Sequence, residues 1–393
     1  MVTLFILIIT EIFSYVAIRQ HFYEKSWMRF YFFLTNHIVV SIWLWILYFE
    51  GLSYNGIFDE PAHLWVLLNF GGIICGVVIP RIIFIFFHFL GVFANRKRGV
   101  HKRSLTNAGL IFAVLIFLVV LEGTLVGRFN FRTERVTVKI KGLSHDLEGL
   151  KIVQISDLHL SSFYHNKATL AGVMDKINKE HPDILINTGD FVTYGWREFD
   201  SFDTILRAGV SKYGNFAIMG NHDFGSYDPF YTEADRNDNV LLMHKKIISS
   251  GYRLLNDEFS MLRIGNARIA MIGVTTRGSF TKIKHGDLTR AISGIDSADL
   301  KILLAHDPNQ WDKDVTGKTD INLTFSGHTH GMQMGIMTKK FRWSPARFFY
   351  PRWNGLYREG DQFLYVNRGL GVLGIPFRIW MPPEITVITL VAE

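Results

Sequence analysis

Cysteine is all but missing from this sequence: Cys75 is the single one among 393 residues. No intrachain disulfide can form, and a thiolate metal site is excluded. The absence is compatible with any compartment and selects none. The first apolar stretch lacks a basic leader and an obvious small-residue cleavage site, which argues against a secretory signal peptide and for a retained helix. The apolar segments also lack internal repetition and a dense polar face. That counts against transport as the main activity.

Long hydrophobic runs, by contrast, are abundant. The chain is 48% hydrophobic with 33 Phe and 9 Trp, and the excess is concentrated in the first 130 residues. Four apolar stretches stand out: about Val2–Ile18, Phe30–Phe49, Leu64–Ala94 and Leu110–Val126. A membrane-crossing helix needs ~20 apolar residues, so four spans are expected. The third stretch carries Pro80-Arg81 near its middle and reads as one kinked span or a span plus an interfacial segment. Arg19, Lys25 and Arg29 follow the first stretch, Glu50, Asp59 and Glu60 the second, and the basic run "NRKRGVHKR" the third. The net charge of +7 and this run could suggest nucleic acid, but flanking apolar segments favour a topology signal, and no nucleic acid is expected. Positive loops stay cytoplasmic, which places the N-terminus and everything after Val126 outside. Glu11, Arg81, His88 and Glu122 lie in or near the spans, where ionisable groups are costly and either snorkel or serve function.

From about Glu134 the texture changes. "RVTVKI", "KIVQIS", "DILINT", "NFAIMG", "ARIAMIGV", "KILLAH", "INLTFSG", "FLYVN" and "EITVITL" read as strands. "NKATLAGVMDKINKE" and "NVLLMHKKIISS" have helical spacing. Alternation of the two predicts a layered α/β domain, giving a division into residues 1–130 and 131–393. What ends the strands is informative. "ISDLHL" offers Asp157 and His159, "NTGDFV" Asp190, "MGNHDFG" Asn221, His222 and Asp223, "LLAHDP" His306, and "FSGHTHG" His328 and His330. In a strand, residues two apart share a face, so Asp157 and His159 are expected side by side. Each residue alone could be a turn former or a core histidine. Five strand ends finishing alike point to a common ligand, because open α/β sheets bind beyond their carboxyl ends. Imidazoles, carboxylates and one amide suit Mn²⁺, Fe²⁺ or Zn²⁺, and the surplus of ligands suggests two metals sharing a bridge.

This ordered set, D-x-H, G-D, G-N-H-D, a lone H and G-H-x-H, resembles the calcineurin-like metallophosphoesterases from about Val136 to the C-terminus. The tail "YVNRGLGVLGIPFRIWMPPEITVITL" further resembles their membrane-linked bacterial branch. The resemblance implies a four-layer αββα sandwich and two divalent metals. It assigns Asp157, His159, Asp190 and His330 to one metal, and Asp190, Asn221, His306 and His328 to the other. His222 would stay unligated, oriented by Asp223, and protonate the leaving alkoxide while a metal-bridged hydroxide attacks phosphorus. The expected enzyme is a membrane-anchored phosphoesterase of a bacterial plasma or inner membrane. Its substrate is a phosphate ester or diester, with a lipid-linked one favoured by the tether. The competing reading is a membrane sensor or transporter regulated by a metal-binding domain.

Two further stretches matter. Met332 stands where many relatives have a second Gly, and the following "IMTKKFRWSPARFFYPRW" is cationic and aromatic. Lys339, Lys340, Phe341, Arg342 and Trp343 could meet a bilayer surface; a solvated loop is the plainer alternative. Gly369-x-Gly371-x-x-Gly374 matches a dinucleotide fingerprint, but Pro376 follows at once and too little chain remains for a ribose-binding acid. A tight turn near the metal site fits better.

Overall fold

The computed structural model describes residues 2–54, 56–94, 103–279, 282–295, 297–338 and 341–393. The basic residues 95–102 that informed the topology, and Lys339 and Lys340, lie outside the described residues. The chain forms two compact units. One comprises Met1–Gly56, Val66–Leu125 and Gly374–Phe377; the other comprises Ile57–Trp65, Val126–Leu373 and Arg378–Glu393.

The first unit is built from helices α1 (Val2–Phe22), α2 (Trp27–Ser53), α3 (Pro61–Ala94) and α4 (Arg103–Leu125). All four are long and apolar enough to cross a membrane. Leu, Ile and Phe face outward as well as inward: Ile12, Ile42, Phe86 and Leu115 are exposed. A helix apolar all round is stable only where its surroundings are apolar too. Inside, Leu7, Leu44 and Val78 pack together, as do Ala17, Phe22, Phe30, Phe84 and Ala113. Ser26 starts α2 by accepting the Arg29 N–H at 3.3 Å. The third apolar stretch is one helix that continues through Pro80.

The second unit holds two six-stranded sheets. The first has the order β1 (Arg132–Ile140), β16 (Glu384–Ala392), β2 (Lys151–Ile155), β3 (Ile184–Asn187), β4 (Asn215–Ala217) and β5 (Arg253–Leu254). The second has the order β14 (Gly355–Glu359), β15 (Gln362–Val366), β11 (Leu323–Ser326), β10 (Leu300–Ala305), β7 (Ala267–Val274) and β6 (Glu258–Ile264). Strands β2 to β5 pair in parallel in one sheet, and β7, β10, β11 and β15 do so in the other. Two small ribbons, β8 (Thr276–Ser279) with β9 (Lys282–His285) and β12 (Ile336–Met337) with β13 (Arg342–Trp343), extend the connections.

Side-chain alternation along the strands divides the core into layers. Ile152, Ile184 and Ile186 face Ile302, Leu304 and Phe325 of the other sheet. One residue along, Val153, Ile155 and Leu185 pack on α5 (Lys167–Lys179) and α7 (Glu233–Ser249), with α6 (Phe202–Leu206) beside them. On the far side Ile272, Leu303 and Val366 pack on α8 (Leu288–Ile292) and Trp311. The result is the expected helix–sheet–sheet–helix sandwich, with parallel strands of both sheets ending at one rim.

Candidate metal centre

Strand β2 stops at Ile155, so Asp157 and His159 lie beyond it. The same-face argument from strand geometry therefore does not apply to them. They converge for another reason: both adopt left-handed backbone, at φ 50° and 41°. Asp190, His328 and His330 do the same, at φ 57°, 70° and 49°. Such conformations cost a non-glycine residue about 1–3 kcal/mol each. Five at one rim are held by their surroundings. Asp157 N–H bonds the Gly189 carbonyl and His159 N–H the Asp190 carbonyl, tying the loop after β2 to the loop after β3.

Two groups of ligand-type atoms result. Asp157, His159 and His330 bring theirs within 4.8 Å of one another, and so do Asp190, His306 and His328. In the first, His330 Nε2 lies 3.2 Å from both Asp157 Oδ1 and His159 Nε2. In the second, His306 Nε2 is 2.9 Å from Asp190 Oδ2 and 3.2 Å from His328 Nδ1. Asp190 Oδ2 is also 4.0 Å from His159 Nε2, so this one oxygen faces both groups. Its other oxygen accepts the His222 backbone N–H at 2.9 Å. Asn221 is 1% exposed and its Oδ1 has no protein partner among the described residues.

These residues fit a pair of cations. Imidazole nitrogens facing each other at 3.2 Å need a proton or a metal between them, and the buried Asn221 oxygen needs a positive partner. Electrostatics agree. Burial alone would push the Asp157 and Asp190 carboxyls up, but the surrounding imidazoles, His330 and His306 foremost, hold both ionised well below the usual range. Burial works against charge on His306, yet Asp190 and Asp157 raise it to about 10. Burial and His306 lower His328 to about 4. A proton on His306 thus occupies the role a cation would take.

The structure places His222 in the same cluster, with its ring stacked on Tyr227 at 4.1 Å and edge-on to His159 at 5.1 Å. Its orientation differs from the expected one. Asp223 does not hold the imidazole; Nδ1 lies 2.7 Å from the Thr193 carbonyl and must donate to it. The Asp223 carboxylate instead accepts the N–H groups of Asp190, Gly220 and Val192 at 2.9, 2.9 and 3.2 Å. It fixes the Asp190 loop, because a buried carboxylate surrounded by N–H donors is held by all of them. Burial lowers the His222 pKa, with Asp190 opposing.

Several residues at the site, Arg378 of the quoted tail excepted, carried no sequence signal of their own. Thr193 bonds both His222 and, through Oγ1, His159 Nδ1 at 3.2 Å. Glu198, fully buried, accepts the N–H groups of Thr193, Tyr194 and Gly195 on one oxygen and that of Ser161 on the other. Tyr350 places its hydroxyl 2.9 Å from His328 Nε2. Arg378, also fully buried, donates to the carbonyls of Arg368, Gly369 and Gly371 at 2.9, 3.2 and 2.6 Å. It thereby shapes the Gly-rich turn, whose Gly371 N–H bonds the Asp157 carbonyl at 2.8 Å. A Cβ on Gly371 would sit 2.0 Å from the Leu158 carbonyl. This is the close approach that accounts for the false dinucleotide fingerprint.

A second support comes from Ile57–Trp65, ahead of and into the start of α3, which belongs to this unit. Asp59 is fully buried, paired with Arg197 at 2.9 Å and accepting the Tyr231 hydroxyl at 2.7 Å. Phe58 packs edge-on to Tyr194 at 4.9 Å. Tyr194 and Arg197 lie within the Thr193–Glu198 turn, whose Thr193 carbonyl positions His222.

Residues 150–332 match the family model described as Calcineurin-like phosphoesterase. A Bacillus subtilis protein, "Uncharacterized metallophosphoesterase YkuE", is 31% identical over 66% of this chain and 85% of its own length. A Danio rerio "Transmembrane protein with metallophosphoesterase domain" is 26% identical over 90% of this chain and 80% of its own. "UDP-2,3-diacylglucosamine pyrophosphatase LpxG" of Chlamydia trachomatis is 29% identical over 63% and 85%.

Proposed function

The chain belongs to the calcineurin-like phosphoesterases and is a metal-dependent hydrolase, and from that premise we propose that it cleaves a phosphate ester or diester carried on a lipid. The observation that carries the reading is the Asp190 carboxylate oxygen facing two ligand groups at once. Asp157, His159, Asp190 and His330 would hold one divalent ion, and Asp190, Asn221, His306 and His328 the other, with Mn, Fe or Zn suited to this donor set. When bound, such a pair supplies positive charge to the phosphoryl oxygens and makes a water acidic enough to serve as nucleophile near neutral pH.

The chain's own residues supply the rest. His222 donates Nδ1–H to Thr193, which leaves Nε2 to face the reacting group. An approaching phosphate anion favours the imidazolium and offsets the effect of burial. That ring then hands its Nε2 proton to the departing alkoxide. Asp223 holds the backbone carrying Asp190, and Tyr227 stacks on His222 to limit its rotation.

Support for a lipid comes from the same rim. Phe348 and Phe349, 74% and 66% exposed, immediately precede Tyr350 at His328, and Phe341 and Trp380 are exposed as well. Exposed aromatics of this kind settle at a membrane interface. The Chlamydia relative is named for a diacylated substrate carrying a pyrophosphate, the same combination of acyl chain and phosphate. The acidic loop after α2, set against Arg19, Lys25 and Arg29 after α1, favours an extracytoplasmic catalytic unit on a bacterial plasma or inner membrane.

The test is hydrolysis of bis-p-nitrophenyl phosphate and p-nitrophenyl phosphate by the purified full chain with Mn²⁺, beside Asp190→Asn. A diacylated nucleotide pyrophosphate in mixed micelles forms the third arm. Metal-dependent turnover lost in Asp190→Asn, with the lipid arm fastest, is the expected result. Turnover of the small esters without preference for the lipid removes the lipid assignment. Absence of both turnover and bound metal would overturn the enzyme reading in favour of a sensor.

A further inference from the structure

The four helices of the first unit line an open-sided pocket of about 260 Å³, roomier than the ~150 Å³ that admits benzene in an engineered apolar cavity. All four contribute to its wall, with Ile18, Phe33, Phe84, Leu110 and Phe117 supplying most of the apolar surface. His37 and Arg81 also line it, about halfway along their helices.

The charges at this depth are already satisfied. Arg81 donates to Glu11 Oε1 at 2.6 Å, while Glu11 Oε2 accepts from Ser41 at 2.6 Å and lies 3.1 Å from His37 Nε2. The second guanidinium nitrogen of Arg81 donates to Ser41 Oγ and the His37 carbonyl. The pair is neutral as a whole, and an ion entering without its own partner would meet the cost of charge in an apolar medium. The cavity therefore disfavours charged ligands.

One polar side chain on its wall has no partner among the described residues, and one backbone carbonyl there lacks its usual helical donor. Ser14 is 2% exposed, and its hydroxyl has no protein partner among the described residues. Pro80 has no N–H, so the Gly76 carbonyl one turn earlier loses its usual helical donor, and both residues line the cavity. A buried hydroxyl and a carbonyl without its usual donor, in an apolar pocket whose one guanidinium is already paired, form a recognition pattern. One ligand hydroxyl satisfies both, accepting from Ser14 and donating to the Gly76 carbonyl.

We propose that this cavity binds an uncharged lipid alcohol, with its hydroxyl between Ser14 and Gly76 and its hydrocarbon chain against the Phe33–Phe84–Phe117 wall. The site is distinct from the metal centre and is independent of the substrate assigned to it.

The test uses the full chain in nanodiscs of uncharged phospholipid with a diazirine-bearing hexadecanol, mapping the labelled residues by mass spectrometry. Labelling is expected to saturate and to fall on cavity residues of α1 to α4. Unlabelled hexadecanol should compete, whereas hexadecane and hexadecyl phosphate should not. Ser14→Ala should weaken binding by about fivefold to tenfold, the loss of one neutral hydrogen bond. Ala113→Phe and Val40→Phe, which fill the chamber from two different helices, should abolish it. A melting curve close to the parent's identifies which of the two is folded and therefore counts. The proposal is overturned by non-saturating labelling spread over outward residues such as Ile42 and Phe86. Equal competition by hexadecane or hexadecyl phosphate overturns it as well.

Discussion

Replacing Glu198 with Gln should make the protein more stable at alkaline pH and leave it unchanged under mild acid. Burial pushes the Glu198 carboxyl up to about 7 and outweighs the backbone N–H groups of Tyr194, Thr193 and Gly195 that favour the anion. Below pH ~4.5 the folded and unfolded chains both carry the proton. Between there and about pH 7 only the folded chain does, so stability contributed by Glu198 falls as pH rises through that window. Across ~2.5 pH units the loss amounts to about 3 kcal/mol. The amide of Gln keeps one oxygen for the same N–H groups and has no proton to lose. At pH 5 the neutral acid and the amide resemble each other, so the two proteins should melt together. At pH 8 the variant should melt higher by about 6–12 °C, taking ~2–4 °C per kcal/mol for a domain of this size. Thermal unfolding of both proteins in the same detergent at pH 5, 6, 7 and 8 reads the difference, and ionisations common to both cancel. An offset that stays constant from pH 5 to 8 would refute the reasoning.

His222→Asn should retain both metals by elemental analysis while turnover falls ~10²–10⁴-fold; an emptied site would place His222 among the ligands instead. Gly220→Ala changes no ligand, yet its Cβ would lie 2.2 Å from Asp190 Oδ1. Bound metal should drop, and unchanged stoichiometry would mean that the Asp190 loop yields without cost. Chelation of the native protein should lower the melting temperature, and Mn²⁺ should restore it, because binding to the folded state alone stabilises by mass action. A melting temperature indifferent to chelation would show that the imidazole–carboxylate cluster holds itself together.

How much of this was readable in advance depended on the kind of signal. Strands buried on both faces, such as "DILINT" and "ARIAMIGV", announce themselves by composition, and the structure has them as β3 and β7. Edge strands β6 and β14 were missed. Glu258, Arg263, Arg358 and Glu359 interrupt their apolar pattern, and each is a strand only because it pairs with a buried neighbour. The hairpin turns at Gly265-Asn266 and Gly360-Asp361 were the available clue. At the site, residue types at strand ends were legible because Asp, Asn and His are conspicuous there. Their backbone conformation was not: the left-handed turns at Asp157 and His159 are set by bonds to the loop after β3, a non-local constraint. Thr193 acts largely through its carbonyl, which any residue possesses, so no side-chain pattern could mark it as the partner of His222.

The buried Asp59 has a consequence for how this enzyme can be taken apart. A fragment starting after α4 would contain every residue proposed to bind metal and still be missing a piece of its own interior. Arg197 and Tyr231 would face solvent where a carboxylate belongs. The catalytic unit is thus not a contiguous cassette; the nine residues Ile57–Trp65, far upstream in the chain, complete it. Grafting it onto another membrane anchor, or releasing it by proteolysis at residue 126, would need that short insert supplied in trans or its two partners rebuilt.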